Sequence, residues 1–227
     1  MMVSTKSGPV REPIADRMYK VLLEQFIAGE RVAGSALNIG ALSRELDVSQ
    51  TPLREALARL EHTGLVRREA LKGYRVADAL SDREIGKLFE ARAVLEPALT
   101  LEAGLRTTPE FLATLGAAVD ELDHSASSAD TRTDGFQHYW RADDAFHRLI
   151  AAQSGNPFLE QALLALSGHV QRFRMFSKRG RTGASHAAGE HRLIHRALER
   201  RDAEGAAELM RRHLAEAKDR ILTSGAH

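Results

Sequence analysis

The chain has no cysteine among its 227 residues, which excludes disulfides and thiolate metal sites and accords with a reducing compartment. No apolar run approaches the roughly 20 residues that span a bilayer. Met1 to Pro9 also lack the apolar core of a signal peptide, so a cytoplasmic location is expected. An excess of one charge sign is missing too, since 32 Lys and Arg meet 31 Asp and Glu for a formal net charge of +1. No internal repeat is present. What remains is ordinary for a globular protein, 43% hydrophobic and 28% charged, with enough length for two compact domains. The small basic excess is local: residues 1–78 carry 12 basic and 10 acidic side chains, the remainder 20 and 21.

Within that basic part, S-Q-T-P-L-R from Ser49 to Arg54 has the form of the start of a DNA-reading helix. A short helix from about Ile39 to Leu46 precedes it, followed by a tight turn at Asp47 and Val48. The next helix takes Ser49 or Thr51 as N-cap and places Pro52 in its first turn, where a missing N–H costs nothing. Leu53, Ala56, Leu57 and Leu60 form its buried stripe, which leaves Gln50, Thr51, Arg54 and Ala58 toward the outside. That end of a recognition helix meets base edges and phosphates. Gly64 ends the helix, and Leu65–Arg68 with Gly73–Val76 read as two short strands around a Lys72-Gly73 turn, a wing. Between Gln50 and Arg75 the bases Arg54, Arg59, Arg67, Arg68, Lys72 and Arg75 outnumber Glu55, Glu61 and Glu69, which suits a phosphate-facing surface. The plainer alternative is a helical hairpin with solvated charges.

The run V-S-Q-T-P-L-R-E-A-L-A-R-L-E-H-T-G-L-V from Val48 to Val66 resembles the signature of the GntR family of bacterial transcriptional regulators, and Gly34, Leu37, Gly73 and Val76 also fit its pattern. The resemblance implies contact with double-stranded operator DNA through Arg44, Ser49, Gln50, Thr51, Arg54, Lys72 and Gly73. Gln50 departs from it. Members usually carry arginine there, and glutamine favours bidentate contact with adenine over guanine.

A boundary falls at Asp78 to Ser81, where Ser81-Asp82-Arg83-Glu84 forms a capping box. The expected organisation is a flexible N-terminus over 1–9, a winged helix-turn-helix domain over 10–78 and a helical domain over 79–227. Helices are expected near 82–104, 108–124, 134–154, 157–176, 184–200 and 203–222, with Thr108-Pro109, Asn156-Pro157 and Asp202 as start signals. The stretches His124 to Gly135 and Lys178 to Ser185 read as mobile loops. The fold class is therefore mainly α: a winged helix-turn-helix with a small β wing, then an all-α antiparallel six-helix bundle.

Nine of the ten histidines lie after residue 120. On the helix carrying the stripe Ala142, Phe146, Leu149 and Ile150, Asp143 and His147 fall about 60° and 100° from Phe146 on one flank, one turn apart. His191 lies about 60° from Ile194, and His213 about 60° from Met210, each on the rim of a buried face. Together Asp143, His147, His191 and His213 offer three imidazole nitrogens and one carboxylate, a set suited to zinc, with nickel or manganese as alternatives. Hydrogen-bonded core histidines are the plainer reading. Asp144 rivals Asp143, and His195 rivals its neighbours through its one-turn spacing to His191. Trp140 and Phe146 read as core.

The segments D-D-A-F-H from Asp143, S-G-N-P from Ser154, E-H-R from Glu190 and R-D-A-E through M-R-R-H-L to Leu214 resemble the FCD ligand-binding domain of the FadR branch of the GntR family, in its metal-binding form. That resemblance implies that Asp143, His147, His191 and His213 hold a divalent ion, with a small carboxylate effector beside it. Arg92 and Glu96 match the family's first bundle helix. They form either a surface i,i+4 pair or, with Arg92 at the cavity, a carboxylate anchor. His169 lines the cavity or lies at the surface. The expected function is a homodimeric, metal-containing regulator of a palindromic operator, nucleoid-associated when bound to DNA and without a membrane partner. The alternatives are a metal-dependent hydrolase and a direct metal sensor without organic effector.

Overall fold

A computed structural model of the chain describes residues 12–70, 72–127, 133–176 and 183–223. They divide into two compact units, with the break between Ala77 and Asp78. The N-terminal stretch 1–9 lies outside the described residues.

The first unit has α1 (Ile14–Ile27), β1 (Ala36–Leu37), α2 (Ile39–Glu45), α3 (Gln50–His62), β2 (Val66–Glu69) and β3 (Gly73–Val76). The strands form an antiparallel sheet in the order β1-β3-β2, with Val66 opposite Val76 and Leu37 opposite Tyr74. Two elements go beyond the sequence reading, α1 and the two-residue β1. Met18, Leu22 and Phe26 stand at four-residue spacing on α1 and are buried in the unit that also buries Leu53, Ala56, Leu57 and Leu60 of α3. Helix α1 packs on α3. The wing therefore has a third strand, and α3 has a helix behind it.

Local chemistry accounts for the geometry around α3. Asp47 takes a left-handed conformation with φ 49°, which closes the turn between α2 and α3. Across that turn Ser43 Oγ donates to the Val48 carbonyl at 2.6 Å. Ser49 rather than Thr51 is the N-cap residue, although its side chain makes no capping bond. Gly64, at φ 73°, ends α3, and the Leu65 N–H returns to the Leu60 carbonyl at 3.0 Å in a Schellman-type closure.

The second unit is the six-helix set α4 (Asp82–Leu105), α5 (Pro109–Ser127), α6 (Thr133–Gln153), α7 (Pro157–Phe176), α8 (Ala184–Glu199) and α9 (Ala203–Thr223). Helices α5 and α6 run further into the expected 124–135 loop than the sequence suggested; the residues between them, and 177–182, lie outside the described residues. The start signals act as expected. Ser81 and Glu84 form a reciprocal capping box. Asn156 Oδ1 accepts from the Phe158 and Leu159 N–H groups at 3.2 Å, and Asp202 Oδ1 from Gly205 at 2.9 Å. Helix α4 packs mainly along α9 and also on α6 and α7, while α8 lies on α5 and α9. The faces of α6, α8 and α9 that carry the candidate ligands are thus turned inward, where Phe146 and Ile194 are fully buried.

Candidate metal centre and DNA-reading helix

Gln50, Thr51, Arg54 and Ala58 are exposed on α3, opposite its buried stripe. Arg44 on α2, Ser49 and Lys72 are exposed as well, and Gly73 opens β3 with φ 91°. Three of the six basic residues read as phosphate-facing have acidic partners, Arg67 among them through Glu69 at 3.5 Å. Arg59 pairs with Asp16 and lies over the Tyr19 ring at 4.6 Å, tying α3 to α1. Arg75 Nε donates to Glu69 at 2.9 Å, and its guanidinium also bonds the Gly34 carbonyl. Arg54 makes no ion pair or side-chain hydrogen bond among the described residues. Its replacement by alanine is expected to weaken operator binding by about 1–3 kcal/mol, roughly 5- to 150-fold, as read by fluorescence anisotropy across a salt series. Gln50→Arg is expected to shift base preference toward guanine. Unchanged affinity of Arg54→Ala at every salt concentration would remove α3 as the reading helix.

In the second unit the four proposed ligands converge. His147 Nε2 lies 3.3 Å from His191 Nε2. One nitrogen from each of His147, His191 and His213 falls within 4.8 Å of the others. Asp143 stands beside two of these rings, its Oδ1 3.6 Å from His191 Nε2 and its Oδ2 3.8 Å from His147 Nε2. All four are buried, and Phe146 packs edge-on against the His147 and His191 rings.

This set fits a divalent ion on geometry and on charge. Two nitrogens bound at 2.0–2.1 Å to a tetrahedral ion stand about 3.3–3.4 Å apart, which is the His147–His191 spacing. Burial, with the nearby His213 second, pushes His191 well below the usual histidine range. Burial likewise lowers His213 despite Glu190. Both rings are then neutral at pH 7, the form that ligates.

A second layer of charges holds the rings. His213 Nδ1 donates to Glu190 Oε2 at 2.6 Å, which leaves Nε2 for the cluster. Arg220 grips the same carboxylate with two bonds of 2.5 and 2.9 Å. Burial raises the Glu190 carboxyl, but His213 and Arg220 outweigh it and bring it down to about 2. His147 Nδ1 lies 2.6 Å from Glu96 Oε2, and Arg92 Nε donates to Glu96 Oε1 at 2.5 Å. Burial opposes ionisation of Glu96, yet Arg92 and His147 hold it well below the carboxylate range. Asp143 follows the same pattern: burial is overcome by Arg174 and then by the two histidines. The Arg92–Glu96 pair is thus buried and not the surface pair, with Arg92 only 5% exposed.

Beside the cluster lies a cavity of about 60 Å³ lined by Arg92, Arg174, Arg220, Tyr139, Asp143 and His213, with Phe89 and Phe173 on its apolar side. At roughly 30 Å³ per water that is room for about two waters, or for one small molecule. His169 does not belong there. It is exposed on α7, where Val170, Phe173 and Arg174 supply the cavity face, and its charge is felt by Glu84 at the start of α4. Asp144 pairs with Arg148 at 3.5 Å, and His195 Nε2 meets the Leu112 carbonyl at 3.0 Å, so neither joins the cluster. Trp140 is buried, like Phe146. The residues that sequence reasoning missed are Tyr139, Arg174, Glu190 and Arg220. Arg174, Glu190 and Arg220 meet their partners on other helices, and Tyr139 lines the cavity one turn before Asp143 on α6.

The chain matches the FCD domain over residues 87–216 and the bacterial regulatory proteins of the gntR family over residues 14–76. It belongs to the GntR family of transcriptional regulators. Its FCD domain accords with the FadR subfamily. Among relatives of this GntR protein, the HTH-type transcriptional regulator YcbG of Bacillus subtilis is 30% identical over 93% of this chain and 91% of its own. The HTH-type transcriptional repressor GlaR of Escherichia coli is 31% identical over 86% and 90%. In fold, the E. coli protein McbR/YncC matches with a TM-score of 0.71 at 21% identity, over 95% of this chain and all of that one. YcbG and GlaR carry the names of transcriptional regulators, as the family does, so the regulator reading stands in place of the hydrolase alternative. No helix among the described residues is long and apolar enough to cross a membrane.

Proposed function

We propose that this GntR-family protein is a cytoplasmic homodimer that binds a palindromic operator, and that a small organic acid seated beside a divalent ion in its FCD domain controls that binding. The reading is carried by the convergence of Asp143, His147, His191 and His213 next to an arginine-lined cavity. The ion, zinc by preference with nickel or manganese as alternatives, would supply an electrophilic centre for an anionic oxygen. Glu96 and Glu190 set the imidazole orientations, and the helical walls exclude water, which strengthens every charge contact inside. Arg92, Arg174 and Arg220 balance Glu96, Asp143 and Glu190 one for one. A divalent ion among neutral imidazoles therefore leaves a positive surplus, and an acid is its natural complement. A relative named for the gluconate operon, the repressor of Bacillus licheniformis at 26% identity, fits that class.

To act as a switch, the acid must bind one state of the dimer better than the other. The test is operator binding with a panel of hydroxy, keto, sugar and dicarboxylic acids, run on zinc-loaded and chelator-treated protein. A response to acid that requires the metal is expected. A response to zinc or chelator alone would favour the metal sensor, and equal response of both forms to an acid would make the ion purely structural.

A further inference from the structure

Three guanidinium groups face the cavity, but they differ in what holds them. Arg92 is held by Glu96 and Arg220 by Glu190, carboxylates outside the ligand set. Arg174, half-buried on α7, is bonded to Oδ2 of Asp143, which is one of the four proposed ligands. Both oxygens of Asp143 face imidazole nitrogens, Oδ1 at 3.6 Å from His191 and Oδ2 at 3.8 Å from His147. An ion seated among those nitrogens and the Arg174 guanidinium therefore claim the same carboxylate. Two cations on one buried carboxylate repel, and the low dielectric magnifies the repulsion.

We propose that Arg174 yields Asp143 to a divalent ion and turns into the adjoining cavity, where it binds the carboxylate of the acid. The inference rests on the reading above and adds an order to it: the anion site is completed only after the ion is in place. Arg174 already lines that cavity with Tyr139, so the guanidinium has somewhere to go close at hand. Its planar fork suits a carboxylate, and the acid replaces the partner it gives up. Arg92 and Arg220 keep their own glutamates and need not move.

Three proteins test this: the parent, Arg174→Gln and Asp143→Asn. Zinc affinity is read by competition with a chromophoric chelator, and acetate and succinate affinity by calorimetry with and without zinc. Arg174→Gln is expected to bind zinc at least tenfold more tightly than the parent, because its competitor is gone. The zinc-loaded variant should bind both acids at least tenfold more weakly. Asp143→Asn should bind the acids without zinc, which the parent should not, since its Arg174 is already released; this arm also decides if Arg174→Gln fails to fold. Unchanged or weaker zinc binding by Arg174→Gln would overturn the proposal, because Arg174 would then steady Asp143 as a ligand. So would acid binding by Asp143→Asn that remains as poor as in the metal-free parent. Failure of the parent to take up any zinc would instead overturn the metal reading itself.

Discussion

His213→Ala is expected to leave the protein nearly free of divalent metal where the parent carries close to one ion per chain. His213 is 4% exposed, its Nδ1 is committed to Glu190, and its other nitrogen is the contribution of α9 to the cluster. Without it only α6 and α8 supply donors, and a set drawn from three helices becomes a weaker one drawn from two. Because an ion that binds the folded chain stabilises it by mass action, about 2.7 kcal/mol at a hundredfold excess over Kd, the parent should lose thermal stability on chelation and the variant should not. His195→Ala is the control, since His195 bonds the Leu112 carbonyl away from the cluster and its loss should leave the metal in place. Elemental analysis of protein that never met a nickel column checks the claim. An unchanged metal content in His213→Ala, or none in the parent, would reject the site.

What was legible in the sequence, and what was not, follows the range of the interactions. Leu53, Ala56, Leu57 and Leu60 are buried because helical spacing places them on one face, and Ser81, Asn156 and Asp202 start helices because their oxygens meet N–H groups two or three residues on. Asp143 and His147 share a flank of one helix, so periodicity brings them together, and the rim positions of His191 and His213 suggested the rest. Arg174 meets Asp143 across 31 residues and Arg220 meets Glu190 across 30, and no spacing rule links residues on different helices. The same limit explains His169. Its helix does line the cavity, but the face that does so runs through Val170, Phe173 and Arg174. Helix α1 carried a readable stripe in Met18, Leu22 and Phe26, whereas the two residues of β1 are defined only by pairing with β3.

The largest loss of stability is expected from Arg92→Met, a change that keeps most of the side-chain volume and removes the charge. Glu96 is 2% exposed and would remain ionised beside His147 alone, so a buried pair would become a buried carboxylate missing its main partner. Breaking such a pair costs about 3–5 kcal/mol, most of it the desolvation of the group left behind. Urea unfolding at pH 7 with chelator present reads this without interference from metal. The pH dependence separates it from simple loss of packing. A carboxylate held below its unfolded value adds stability that is present above the unfolded pKa and is lost as the pH falls through the folded one. The Glu96 contribution in the parent is therefore full above about pH 4.5, the usual glutamate value, and declines below it. With Arg92 gone, Glu96 is less depressed and less remains to be lost, so the gap between parent and variant should narrow as the pH falls from 5 to 3. Glu190, at about 2, keeps its partners His213 and Arg220 in both proteins and cancels from the difference. A gap that stays constant over that range would mean that Arg92 acts through its packed carbons, and that the Glu96 pair contributes nothing to holding His147 in place.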